Sequence, residues 1–164
     1  MLQETITMKH KAFLMGFVLG AILVASLAFA LSSGSASDEK VTIRVIEHAD
    51  TDVVTETGAE GDSVGDILTF ANPVFDENDA EQVGSDQGWC IRLVVGESWE
   101  CFWTIFLADG QITVEGPFYD AKESVLAITG GTGKYQNARG QMSLKAANED
   151  ATKFEFVYEL YDAE

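Results

Sequence analysis

The chain has 164 residues, 27 acidic against 10 basic side chains, a formal net charge of −17 and 46% hydrophobic residues. Twenty-six of the acids but only eight of the bases follow residue 36, and such a surface repels nucleic acid and anionic lipid headgroups. The acids are scattered among runs rich in Trp, Phe, Tyr, Ile and Val, which excludes a disordered acidic tail.

In chain order, the basic Met8-Lys9-His10-Lys11 precedes the uncharged AFLMGFVLGAILVASLAFAL over residues 12–31. Small residues then offer cleavage after Ala30 or after Ala36. Twenty apolar residues are long for a signal core and just enough to span a bilayer. The first reading is an export signal and the second an uncleaved membrane anchor. Either places the domain over 37–164 outside the cytoplasm, secreted or anchored, with membrane contact only through the N-terminal segment. Residues 1–36 are therefore set apart from the fold.

The linker SSGSASDE (32–39) leads into eight short runs of β-branched and aromatic residues. They are 41–47, 66–72, 89–95, 99–107, 111–117, 124–129, 138–146 and 152–161. Gly, Asp, Asn and Ser cluster between them, in TGAEGDSVG, DENDAEQVGSDQG, GES, ADG, GGTG and NED, and no helical period appears. Asp109-Gly110 is the sharpest hairpin signal, supplying positive φ to a tight turn. The pattern predicts an all-β fold of eight antiparallel strands, and a closed barrel is the arrangement that leaves no unpaired edge. A barrel of that size holds packed side chains or one small ligand.

Two cysteines, Cys90 and Cys101, flank IRLVVGESWE, whose centre reads as a hairpin turn. In an oxidising compartment they could bridge. Strand register decides, because a one-residue slip turns the thiols to opposite faces. With only His10 and His48 elsewhere, they make a poor zinc site, and no metal or other cofactor is implied. No HExxH, CxxC or EF-hand pattern and no placed Ser/His/Asp set occurs. The glycine cluster of AITGGTGKYQNARGQMSL (127–144) lacks both the glycine and the hydroxyl residue of a P-loop, having Ile128 and Tyr135 there, and no helix follows it. It is a turn between strands, and Lys134 need bind nothing.

TGGTGKYQNARGQMSL resembles the glycine-rich turn and following strand of dirigent proteins and allene oxide cyclases. GDILTFANPVF (65–75), VGSDQGWC (83–90), LADGQITVEGPF (107–118) and FEFVYEL (154–160) are similar to cyclase stretches in the same order and spacing. The resemblance implies an eight-stranded barrel whose lumen binds an apolar small molecule and promotes or steers its cyclisation or coupling. It also implies a homo-oligomer, a trimer in the plant relatives. By matching position, Glu47 is the candidate catalytic group, stabilising developing positive charge, while Asn72, Cys90 and Phe118 are candidate substrate contacts. Arg139 is a candidate ligand contact or a barrel-end ion pair. Other cyclase positions depart: a second asparagine falls at Ala49, a Ser-Pro pair has no counterpart, and the pocket tyrosine is Phe118. The alternative is a non-catalytic barrel that binds a lipophilic ligand or builds an envelope assembly.

Overall fold

A computed structural model of the chain describes residues 40–161. The signal or anchor segment over 1–36 lies outside the described residues. Ten strands make one antiparallel sheet that closes on itself. They are β1 (Val41–His48), β2 (Val53–Thr55), β3 (Ile67–Phe70), β4 (Pro73–Phe75), β5 (Gln82–Val94), β6 (Ser98–Leu107), β7 (Gly110–Tyr119), β8 (Ser124–Gly131), β9 (Arg139–Ala146) and β10 (Lys153–Tyr161).

Four of these are halves of two staves. β1 pairs with β4 and β2 with β3, while β3 and β4 both pair with β5. The ladder then runs from β5 through β10 and back to β1. Ten strands thus form the eight staves of a closed antiparallel barrel. Both broken staves break at one level, over residues 49–52 and at Ala71-Asn72.

Alternation decides which side chains fill the lumen. In β6, Trp99, Cys101, Trp103 and Ile105 are buried, and the residues between them are half-buried on the outer face. Ile105, Ile112, Val114, Leu126, Met142, Tyr158 and Leu160 are each at most 1% exposed. They pack solid the end of the barrel where β6 ends and β7 begins.

Three sequence expectations are corrected. VGSDQG, placed in a turn, is the first half of the 13-residue β5. Its glycines disguise it: a Cβ on Gly88 would sit 2.3 Å from Trp103 Cβ, and one on Gly84 would sit 2.3 Å from the Phe106 carbonyl. The short β2 was missed, because three exposed residues carry no inward pattern. In the glycine cluster, Gly130 and Gly131 belong to β8, and the turn proper is a 3₁₀ turn at Gly133–Tyr135.

That turn has a structural purpose. The Lys134 and Thr132 amides donate to the carbonyls of Asp109 and Gln111, both at 2.9 Å. Gly110 (φ 148°) and Gly133 (φ 60°) allow this approach, since a Cβ on either would lie within 2.4 Å of a facing carbonyl oxygen. Of the Asp109-Gly110 pair, only the glycine takes positive φ.

Candidate site in the barrel lumen

Toward the end of the barrel where β1, β5, β7 and β9 end, the lumen is not packed solid. A cavity of about 50 Å³ remains there, room for about four waters. Its walls are the side chains of Leu68 and Phe70 from β3, Trp103 from β6, Phe118 from β7, Leu144 from β9, and Phe154 and Phe156 from β10. The Cys90–Cys101 disulfide closes one side. Glu47 and Asp52 are its two acidic lining residues, and it has no basic one.

Glu47 is the last inward residue of β1 and is 5% exposed. Where its stave breaks, side chains replace the backbone ladder. The Asn72 amide donates to Glu47 Oε1 and to Asp52 Oδ1, both at 2.8 Å. Asn72 Oδ1 accepts from the Thr51 amide (2.9 Å) and the Thr51 hydroxyl (3.0 Å). The Ala71 amide donates to that hydroxyl's oxygen at 2.7 Å. Across β5, Asn72 and Asp86 exchange backbone hydrogen bonds of 3.0 and 2.9 Å.

Asp86 is 2% exposed and lies next to Glu47. Burial, then the Glu47 charge, pushes its carboxyl up from an ordinary 3.8 to about 9. Burial also lifts Glu47 from 4.5 to about 7, opposed by its hydrogen bonds from Asn72 and Asp86 and assisted by the charge of Asp52. Two carboxyls in contact in an apolar site cannot both ionise cheaply, so they titrate as a pair. The first proton to leave on raising pH comes mainly from Glu47, and Asp86 keeps the other as a donor toward it. Tyr158, fully buried, is pushed well above 10 by burial and then by Asp86. Trp103 Nε1 and Tyr158 Oη are also buried.

The structure brings together Glu47, Cys90 and Phe118 on the cavity wall and leaves Asn72 and Arg139 off it. Asn72 spends both amide hydrogens and both carbonyl lone pairs on protein groups, so it has nothing to offer a substrate. Its role as a substrate contact is corrected to one of positioning Glu47. Cys90 pairs directly with Cys101 in the β5–β6 register, and the two are bridged. The bridge rules out a free-thiol role for Cys90, which meets the lumen as half of a disulfide. Phe118 packs edge-to-face on Phe154, with centroids 6.0 Å apart. Arg139 is exposed at the start of β9.

Sequence reasoning missed Asp86. Had β5 been read from Val83, period-two alternation back from Cys90 would have put Asp86 on the lumen face.

The profile of the allene oxide cyclase family matches residues 42–161. Among solved structures, a pyocyanin demethylase is 28% identical with a TM-score of 0.63, over 72% of this chain and all of its own. A pterocarpan synthase dirigent protein superposes with a TM-score of 0.66 at 16% identity, over 85% of this chain and all of its own. An exo-specific intermolecular Diels-Alderase gives 0.61 at 17% identity, over 75% of this chain and 98% of its own. The last two likenesses speak for the fold alone.

Proposed function

The chain belongs to the allene oxide cyclase family, and on that premise we propose that it binds an apolar small molecule in the barrel lumen and steers its cyclisation or coupling. The observation that carries this reading is the cavity left in the lumen, apolar except for Glu47 and Asp52 at its wall. A slot of this kind holds a flexible substrate in one folded conformer, which removes part of the entropic barrier. Its walls keep water from a reactive intermediate. Glu47 supplies a fixed negative charge opposite any positive charge that develops, and Asn72 and Asp86 hold it there. With its carboxyl raised to about 7, Glu47 can also take up or return a proton near neutral pH.

The neighbouring barrels are named for a demethylation, a pterocarpan synthesis and a Diels-Alder reaction. These names support a barrel that acts on small molecules and favour no one reaction. The protein is further proposed to be exported, with the Cys90–Cys101 bridge in support, and to form a homo-oligomer through exposed apolar residues of β5 such as Trp89 and Leu93.

The test is incubation of the purified chain with short-lived allylic epoxides, dienes and phenoxyl-radical pairs, with products resolved by chiral chromatography. A shifted product ratio that disappears in Glu47→Gln supports the reading; ratios equal to those in buffer across the panel overturn it. One observation favours a second reading, a binder without turnover: the hydrogen-bonding capacity of Asn72 is fully used within the protein. A ligand retained in native mass spectrometry, with no change in products, would decide for the binder.

A further inference from the structure

We infer that the lumen selects a small planar aromatic molecule bearing a positive charge, a nitrogen-heteroaromatic cation, over a neutral or anionic ring of the same shape. The inference rests on the reading of the lumen as the ligand site and adds the charge of what enters it.

The walls are largely aromatic. Phe70 meets Trp103 edge-to-face, and Phe118 meets Phe154 in the same way, each pair with centroids 6.0 Å apart. A cavity walled by Phe70, Trp103, Phe118, Phe154 and Phe156 suits an aromatic guest, and π faces favour a cation. The charged groups at the cavity are all of one sign. Glu47 and Asp52 line it, and no Lys, Arg or His does. The groups acting on Glu47 are Asp50 and Asp52 from the stave break, Asn72, Asp86 from β5 and Tyr158 from β10, none of them basic. Among the described residues the buried arginine is Arg92, which is held by Asp62 and Asp120 over the Trp99 ring and is not a lining residue.

Among the described residues no basic group acts on the carboxyl pair, and Asp86 is only 2% exposed. Burying an unmatched carboxylate is costly, and the cost falls when a cation shares the site. An anionic ligand meets the reverse situation, since it would be desolvated beside three acids with nothing to offset it.

Three single-ring ligands of one shape, small enough to enter the mouth of the cavity, test this by isothermal titration calorimetry of the full chain: N-methylpyridinium, toluene and benzoate. At pH 8 and physiological salt the cation should bind one-to-one, roughly ten-fold or more tighter than the neutral ring, with the anion weakest. The cation's advantage should shrink at pH 5.5 and in Glu47→Gln. In Asp86→Asn, whose side chain still donates to Glu47 but cannot carry charge, the advantage should remain at pH 8 and shrink over the same pH range as in the native chain. Neutral binding as tight as the cation's overturns the charge preference and leaves the lumen as a ligand site. Cation binding that salt abolishes and Glu47→Gln leaves unchanged belongs to the acidic exterior and also overturns it. Failure of all three to bind removes the ligand-site reading as well.

Discussion

Asn72 reaches Glu47 with an amide hydrogen bond of 2.8 Å across the gap between two broken staves. The same nitrogen holds Asp52 at 2.8 Å, so one small side chain stitches the wall and aims the carboxylate. Asn72→Ala leaves buried acceptors without donors and should cost about 2–4 kcal/mol. Urea denaturation at pH 7 measures it. A loss below about 0.5 kcal/mol would mean that the stitch is ornamental.

Stability should fall as pH rises from about 4 to about 9. Glu47 and Asp86 have ordinary values of 4.5 and 3.8 when unfolded and are raised to about 7 and about 9 in the fold. Over that window the native state binds more protons than the unfolded chain, so deprotonation favours unfolding, and no penalty exists below pH 4. The effect should be on the order of a few kcal/mol. Thermal melts across the range should show it, and Glu47→Gln and Asp86→Asn should each flatten the slope. A melting temperature constant from pH 4 to 9 would contradict the buried carboxyl pair.

Reduction of the Cys90–Cys101 bridge should lower stability by about 2–3 kcal/mol, the value for closing a short loop. Melts with and without a phosphine reductant give the number. Because the bridge forms one wall of the cavity, ligand affinity should fall with it, while Cys90→Ala/Cys101→Ala should be insensitive to reductant.

Gly88→Ala should be far more damaging than its size suggests. The added carbon would lie 2.3 Å from Trp103 Cβ and 2.4 Å from the Phe102 carbonyl oxygen, so two staves must separate. A loss of about 3 kcal/mol or more is expected, read from the soluble yield and the melting temperature. Gly96→Ala, with nothing within 4 Å of the new carbon, is the control for glycine loss at a turn.

Most of the barrel is legible in the sequence because alternation survives where inward residues are large. Trp99, Cys101, Trp103 and Ile105 announce β6 without help. The register of Cys90 against Cys101 is not legible, since it depends on the length of the β5–β6 turn, and the structure resolves it as a direct pair. Glu47 is found by family position, and its burial cannot be inferred from a chain with so many solvated acids. Asp86 escapes because its strand carries glycines at 84 and 88, where tight packing forbids side chains. Asp66 escapes for another reason. It opens the strand run 66–72 in the sequence, yet it lies just before β3, is 1% exposed and accepts from the Thr57 and Ser63 amides at 2.9 and 2.8 Å, tying down the long loop there. Those contacts are set by a loop conformation that no periodicity describes.

Two neighbouring staves lose their backbone ladder at one level, and the seam there is sewn by carboxyls and an amide. A protonation event at Glu47 consequently changes two properties together, the charge that a guest meets and the strength of the seam beside it. The vessel and its lumen answer to one proton, since acid that removes the charge inside also steadies the barrel around it.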